Sequence, residues 1–135
     1  MTSRLNPYIT FAGNARQAME FYKSALGGEL AMNTFAEFGN DGPDGDKIMH
    51  ANLETADGFT LMASDTPPGM EETSGNNIAV SLSGDDETLR GYWDRLTDGA
   101  EVTMPLEKQV WGDEFGQLTD RFGISWMVNI GGGAA

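Results

Sequence analysis

The sequence predicts an α+β fold built from two modules, each with the order strand, helix, strand, strand, strand. A loop rich in Pro, Gly and Thr at residues 65–75 divides the chain near its middle. Each half contains one segment with apolar residues at helical spacing, and its other apolar runs are short and bounded by turn residues. We therefore expect one domain over residues 1–135, with modules at 5–65 and 76–130.

The first module begins with a strand at residues 5–11, and Asn14 is expected to cap the helix that follows. The predicted helix has one apolar stripe, which ends at the pair Gly27-Gly28 and consists of Ala15, Ala18, Met19, Tyr22 and Leu26. The remaining strands are predicted at residues 30–38, 48–54 and 59–64. An Asp57-Gly58 turn joins the last two as a hairpin.

The second module repeats this order of helix and strands, but the amino-acid sequence itself does not repeat. A strand at residues 77–83 precedes a helix that Asp85 or Asp86 can cap and that Gly99 stops. Its inward stripe is Leu89, Trp93 and Leu96. Three strands follow, at residues 101–110, 115–119 and 124–130, and the glycine-rich residues 131–135 are expected to form a frayed tail.

Composition narrows the function classes. The chain has 21 Asp and Glu against 8 Lys and Arg, and the net charge of −13 opposes binding to nucleic acid or to anionic membranes. It contains no cysteine, which excludes disulfides and zinc–thiolate sites. No run approaches 18 apolar residues and no signal peptide is evident, so we expect a cytoplasmic protein.

Four segments in order, residues 14–23, 47–51, 61–65 and 111–123, carry a family resemblance. The first resembles the start of a glyoxalase/bleomycin-resistance/dioxygenase module, of the vicinal-oxygen-chelate superfamily. The other three resemble its PhnB-like family, which sometimes carries a demethylubiquinone methyltransferase name. The sequence has no Gly-rich nucleotide-binding loop, so we do not expect methyltransferase activity.

The resemblance implies two curved sheets that form a cleft, with one helix on each outer face. Strand alternation agrees with this, since large apolar residues occupy every second position of residues 77–83 and 124–130. We expect Ile78, Val80 and Leu82 to face a helix. Asn77 and Ser81 should then face the cleft.

Catalytic members of the superfamily hold a divalent metal through four side chains, typically His, Glu or Gln. By resemblance, the corresponding residues here are Pro7, Met62, Asn77 and Met127. None is a usual ligand of a hard divalent cation, and a shift of one residue in any strand does not produce a His/Glu set. We therefore expect no metal and no other cofactor.

Two aromatic side chains have open interpretations. His50, the only histidine, is either a pocket residue or a structural hydrogen-bonding residue. Trp111, with Phe115 four residues later, either lines a pocket or packs in the core. The carboxylates of Asp65 and Asp120 are expected to form turns, and those of Asp113 and Glu114 to be solvated.

We expect a PhnB-like protein that binds a small, partly apolar molecule in its cleft without a metal. The expected ligand-binding residues are His50, Met62, Asn77, Ser81, Trp111 and Met127. One alternative is a metal-dependent glyoxalase or dioxygenase-type lyase or oxidoreductase, and the other is a drug-sequestering resistance protein. Because family members commonly pair, we also expect a homodimer. No catalytic residue is assigned.

Overall fold

The computed structural model describes residues 5–39, 42–67, 75 and 77–131. The chain separates into two compact units, Met1–Ser74 and Gly75–Ala135. Each unit contains one βαβββ module, and the α+β fold predicted from the sequence is confirmed. That the two modules form a single domain stays a prediction. Parts of the predicted central loop and terminal tail, residues 68–74 and 132–135, lie outside the described residues.

The first unit is a four-stranded mixed sheet with one helix. Its elements are β1 (Tyr8–Phe11), α1 (Ala15–Leu26), β2 (Glu29–Thr34), a 3₁₀ turn (Ala36–Phe38), β3 (Ile48–Glu54) and β4 (Thr60–Asp65). The strand order is β1-β4-β3-β2. Strand β1 runs parallel to β4, and the other neighbours are antiparallel.

Helix α1 packs on β2, β3 and β4 through the apolar stripe that the sequence predicts. All five stripe residues are buried, together with Ala25. Alternate strand residues on one side of the sheet are also buried, and these are Phe11, Ala51, Leu53, Leu61 and Ala63. Burying one side chain of the size of Met19 or Leu53 stabilises the fold by about 1.5–3 kcal/mol, so this layer is the core of the unit.

The N-terminus of α1 differs from the prediction. The side chain of Asn14 makes no capping hydrogen bond. Instead Oδ1 of Asp65, at the end of β4, accepts hydrogen bonds from the backbone N–H of Gly13 at 3.0 Å and of Ala15 at 2.9 Å. The reason is tertiary, because parallel pairing of β1 with β4 brings this carboxylate to the start of the helix.

Strand β2 ends at Thr34, four residues before the predicted limit. The Thr34 backbone N–H donates to Glu37 Oε2 at 2.6 Å, and the Glu37 N–H donates to Thr34 Oγ1 at 3.3 Å. This reciprocal pair is a capping box, which starts a helical turn rather than continuing a strand. The predicted 30–38 strand is wrong in its last part for this reason.

The second unit has the same architecture. Its elements are β5 (Val80–Gly84), α2 (Thr88–Leu96), β6 (Glu101–Lys108), β7 (Glu114–Thr119) and β8 (Ser125–Ile130). The strand order is β5-β8-β7-β6, again with the first pair parallel and the others antiparallel. The predicted stripe of α2 is confirmed, with Tyr92 as a further buried member.

Asp86 caps α2, one of the two predicted alternatives. Its Oδ1 accepts hydrogen bonds from the backbone N–H of Thr88 at 2.9 Å and from the Thr88 hydroxyl at 2.8 Å. These bonds, the backbone one chiefly, favour the ionised carboxylate and lower the pKa of Asp86.

Strand β5 begins at Val80, three residues later than predicted. Ile78 is 83% exposed, so its predicted packing against a helix is wrong. Leu82, Trp126, Val128 and Ile130 are buried as the alternation predicts. Because residues 77–79 have no strand partner, alternation does not determine which way their side chains point. Among the described residues, no helix has the length and apolar composition needed to cross a membrane.

Candidate functional site

The face of each sheet opposite its helix, here called the open face, carries most of the predicted ligand-binding residues. In the first unit, Met62 lies in β4 with Tyr8 beside it in β1 and Asn52 beside it in β3. His50 is two residues before Asn52 in the same strand and therefore shares this face. The fold thus brings His50 and Met62 onto one surface.

Tyr8 and His50 contact each other although β4 separates their strands. The Tyr8 hydroxyl lies 3.3 Å from His50 Nδ1, and the two ring centroids are 5.8 Å apart. When the hydroxyl donates to Nδ1, the proton of the neutral imidazole is on Nε2, which then acts as a donor. His50 thus has a hydrogen-bonding partner within the protein, while Tyr8 remains 52% exposed. Whether His50 also contacts a ligand stays a prediction.

Asn52 has a buried, unsatisfied atom. Its Oδ1 is closed off from solvent and has no hydrogen-bond partner among the residues that the structure describes. A buried acceptor without a donor costs about 1–3 kcal/mol of stability. Such groups are uncommon in folded proteins and need a specific explanation.

The second open face repeats the arrangement of the first. Met127 in β8 lies between Ser81 in β5 and Gln117 in β7. Phe115 and Asn129, which are paired two residues further along these strands, share the face. Ser81 and Met127 are therefore neighbours, as the sequence predicts.

Trp111 lies at the margin of this second face, in the turn between β6 and β7. The Gln109 N–H donates to the Asp113 carbonyl, and the Gly112 N–H donates to the Gln109 carbonyl, so the turn is held by its own backbone. The Trp111 ring is 58% exposed and meets Phe115 edge-on, with centroids 6.1 Å apart. Trp111 is therefore not a core residue of its unit.

The buried carboxylates serve the fold. Asp65 Oδ2 also accepts a hydrogen bond from the Ile48 N–H at 2.8 Å, so both of its oxygens are used by backbone donors. Asp120 accepts hydrogen bonds from the backbone N–H of Phe122 and Ile124 and, at 2.8 Å, from Nε1 of Trp126. The prediction of a turn is confirmed for Asp120, which bonds residues two and four positions later. It is wrong for Asp65, because the three donors to its carboxylate are distant in sequence and belong to tertiary contacts.

The expectation that Asp113 and Glu114 are merely solvated is wrong. Asp113 accepts a hydrogen bond from Asn129 Nδ2 at 3.1 Å, and Glu114 forms an ion pair with Arg90 of α2. Both residues are half-buried. Glu114 is the first residue of β7, and the partners of the two side chains lie in β8 and α2.

Two of the four positions compared with metal ligands lie off the open faces. Pro7 precedes β1 and contributes its carbonyl to the Met62 N–H, while Asn77 precedes β5 and is exposed. The residues that flank the methionines are Tyr8 and Asn52 in the first unit and Ser81 and Gln117 in the second. Thioethers, neutral hydroxyls and single amide oxygens are a poor donor set for a hard divalent cation, so these side chains do not fit such a metal. In the part of the chain that is described, no three or more His, Cys, Asp or Glu residues cluster in a way that could hold a metal ion.

A small polar cavity of about 110 Å³ lies elsewhere, at the N-terminal end of α1. Arg16, Asp46, Lys47 and Asp65 line it. None of the predicted ligand-binding residues contributes to it.

A family model described as 3-demethylubiquinone-9 3-methyltransferase matches residues 3–129 of this chain. The chain belongs to this PhnB-like family. A crystal structure described as a glyoxylase/bleomycin resistance protein/dioxygenase domain from Frankia sp. EAN1pec is 15% identical with a TM-score of 0.67 and shares the fold. The resemblance found in the sequence is thereby confirmed.

Relatives cover nearly the whole PhnB-like chain. Protein YjdN of Escherichia coli (strain K12) is 30% identical over 139 residues, covering 93% of this chain and 94% of YjdN. The crystal structure of protein PA1353 from Pseudomonas aeruginosa is 38% identical with a TM-score of 0.86, covering 96% of this chain and 98% of that one. A Bacillus cereus structure described as a putative 3-demethylubiquinone-9 3-methyltransferase, PhnB protein, is 21% identical with a TM-score of 0.75, covering 95% and 99%, and shows the fold alone.

Sequence reasoning missed Tyr8, Asn52 and Gln117 as open-face residues. Two of them could have been predicted from strand alternation. Asn52 lies two residues after His50 and Gln117 two residues after Phe115, so each shares a face with that neighbour. Tyr8 was not, since its place beside Met62 depends on the register between β1 and β4.

Proposed function

We propose that this PhnB-like protein binds a small, partly apolar molecule on the open faces of its sheets, without a divalent metal. The supporting observation is a repeat in three dimensions. In both sheets the last strand presents a methionine, flanked on one side by a hydroxyl and on the other by an amide; the two sets are Tyr8, Met62 and Asn52, and Ser81, Met127 and Gln117.

The chemistry of these side chains suits an organic ligand. A thioether is polarisable and adapts to aromatic or aliphatic groups, while hydroxyls and amides orient a ligand by neutral hydrogen bonds. The exposed Trp111 ring, held against Phe115, adds an aromatic surface at the margin of the second face. The metal-free part of the proposal rests on Met62 and Met127, which stand where the superfamily resemblance implies His, Glu or Gln, and on the neutral hydroxyls and amides beside them.

Two measurements test the proposal. Elemental analysis of the purified, dialysed protein should find far less than one Zn, Fe, Ni or Mn per chain. Methyl NMR on labelled methionine should show that a panel of neutral aromatic fragments, benzamide among them, shifts the Met62 or Met127 signal. Met19, which lies on the buried face of α1, is the internal control and should not shift.

Four outcomes would contradict the proposal, replace it or narrow it. One metal per chain that survives dialysis, with activity lost on chelation, would favour the metal-dependent lyase or oxidoreductase. Methyl transfer to a quinol would support the activity named in the family's description. If no fragment shifts either methionine at millimolar concentration, small-molecule binding on these faces is wrong. Tight binding of a drug without turnover would instead identify the ligand class of a sequestering protein.

We also propose that the protein is a homodimer in the cytoplasm. The support for pairing is general, since closed two-fold dimers are the commonest oligomers and family members commonly pair. Light scattering should give twice the chain mass of 14.6 kDa. A mass of one chain at micromolar concentration would refute the dimer.

A further inference from the structure

The side chain of Asn52 combines two properties that rarely occur together. It lies on an open face among side chains that suit a ligand, and its carbonyl oxygen is buried without a donor. Core amides find partners within the protein, because a buried unsatisfied oxygen destabilises the fold. An unsatisfied acceptor on a binding face is expected where the missing donor comes from the ligand.

The neighbours of Asn52 define what else that ligand must offer. His50, two residues away on the same strand face, has Nδ1 against the Tyr8 hydroxyl, which leaves Nε2 as the free ring nitrogen. With Tyr8 as donor, Nε2–H is itself a donor and needs an acceptor. On the other side of Asn52, the Met62 thioether provides contact for an apolar or aromatic group.

We propose that Asn52 is a specificity-determining residue that selects ligands bearing a neutral N–H or O–H donor next to an acceptor, as a primary carboxamide does. The inference rests on the proposed function, since it concerns the same open face. Because Oδ1 is closed off from solvent, the side chains that cover it must shift to admit the ligand. The ligand N–H then donates to Asn52 Oδ1, its carbonyl accepts from His50 Nε2–H, and its apolar portion lies on Met62. No covalent step is involved.

The test uses a pair of probes that differ in the donor alone. Benzamide has an N–H donor, whereas N,N-dimethylbenzamide keeps the carbonyl and the ring but has none. The NMR signals of the Met62 methyl group and of the Asn52 side-chain NH₂ group report the binding of each probe. Benzamide should bind at least about tenfold more tightly than N,N-dimethylbenzamide, because one buried oxygen regains its hydrogen bond.

Two substitutions of Asn52 sharpen the test. Asn52→Leu keeps the size and removes the unsatisfied oxygen, so it should raise the melting temperature of the ligand-free protein by about 2–6 °C and abolish the preference for benzamide. Asn52→Asp keeps an acceptor and adds charge, so it should shift the preference from benzamide to the cationic benzamidine. Asn33→Leu is the matched control, because Asn33 is exposed on the same face beside His50; it should change neither the melting temperature nor the preference.

The outcomes separate this inference from the proposed function. Equal affinity for the two probes, a preference that survives Asn52→Leu, or a lower melting temperature of that variant would overturn the role of Asn52. Binding of other fragments beside Met62 would still stand in that case. If no fragment of the panel shifts the Met62 signal, the ligand face and the role of Asn52 fall together.

Discussion

Asp65→Ala tests the tertiary cap that holds the first unit together. Asp65 is 2% exposed, and its carboxylate accepts hydrogen bonds from three backbone N–H groups, of Gly13, Ala15 and Ile48. Ala15 and Ile48 are themselves buried, so after the substitution water does not readily replace the lost acceptor. Two buried donors left unpaired cost about 1–3 kcal/mol each, and the half-buried third adds less.

We therefore expect Asp65→Ala to lower the free energy of unfolding by about 2–6 kcal/mol, a large part of the 5–15 kcal/mol typical of a folded protein. Urea unfolding at neutral pH, followed by far-ultraviolet circular dichroism, measures it. Asp65→Asn should cost less, because its amide oxygen still accepts from Gly13 and Ala15 while its NH₂ group faces the Ile48 N–H.

Asn14→Ala is the matched control for this experiment. Asn14 stands directly before α1, yet its side chain makes no capping bond, so its loss should change the stability by less than about 0.5 kcal/mol. A loss below about 1 kcal/mol for Asp65→Ala, or a larger loss for Asn14→Ala, would refute the assignment of the cap to Asp65.

Three further predictions concern the second unit. Gly116→Ala should destabilise it by about 1–3 kcal/mol, since the new Cβ would lie 2.7 Å from an indole carbon and 2.9 Å from a backbone carbon; urea unfolding measures this. Trp126→Ala should lower the free energy of unfolding by about 3–5 kcal/mol, because the Trp126 ring is buried and its indole N–H donates a hydrogen bond to Asp120. Trp111→Ala should lower it by less than about 1 kcal/mol and should weaken ligand binding instead, because Trp111 is exposed. Thr88→Val should raise the pKa of Asp86 part of the way to its usual range, because only the weaker of two hydrogen bonds is removed; carboxyl NMR measures it.

Each of these has a contrasting outcome. Gly91→Ala serves as control for Gly116, because its Cβ would meet only the flexible end of Arg95 at 3.4 Å; this change within α2 should stabilise by about 0.5–1 kcal/mol. Equal effects of the two glycine substitutions would contradict the packing argument. A large decrease in the melting temperature of Trp111→Ala would instead show that Trp111 packs in the core.

The sign of the Asp86 effect follows from the lowered pKa. A carboxylate that is easier to ionise in the folded state contributes stability above its unfolded pKa, and this is lost as pH falls through the folded value. Thr88→Val should therefore reduce the acid sensitivity of unfolding, since it brings the folded and unfolded pKa values closer. An unchanged Asp86 titration in the variant would contradict the role of the hydroxyl.

The predicted site was recovered only in pieces. His50 and Met62 share one open face, and Ser81 and Met127 share the other. Alternation inside a correctly located strand placed Ser81, whereas Met62 and Met127 came from the family resemblance. The predicted placement of Asn77 on the open face is wrong, because β5 begins three residues later than predicted. Alternation does not fix the direction of a side chain outside a strand. Whether any of these residues binds a ligand stays a prediction.

Local sequence patterns were sufficient to predict the order of elements, the buried stripes of both helices and the Asp57-Gly58 hairpin turn. These depend on interactions within a few residues, which periodicity and turn residues report directly. Tertiary structure alone decided the partners that are distant in sequence. Asp65 caps a helix that begins 50 residues earlier, and Tyr8 reaches His50 across 42 residues. Both contacts depend on the register between β1 and β4, which side-chain periodicity limits to a face but which only the packed sheet fixes to a residue.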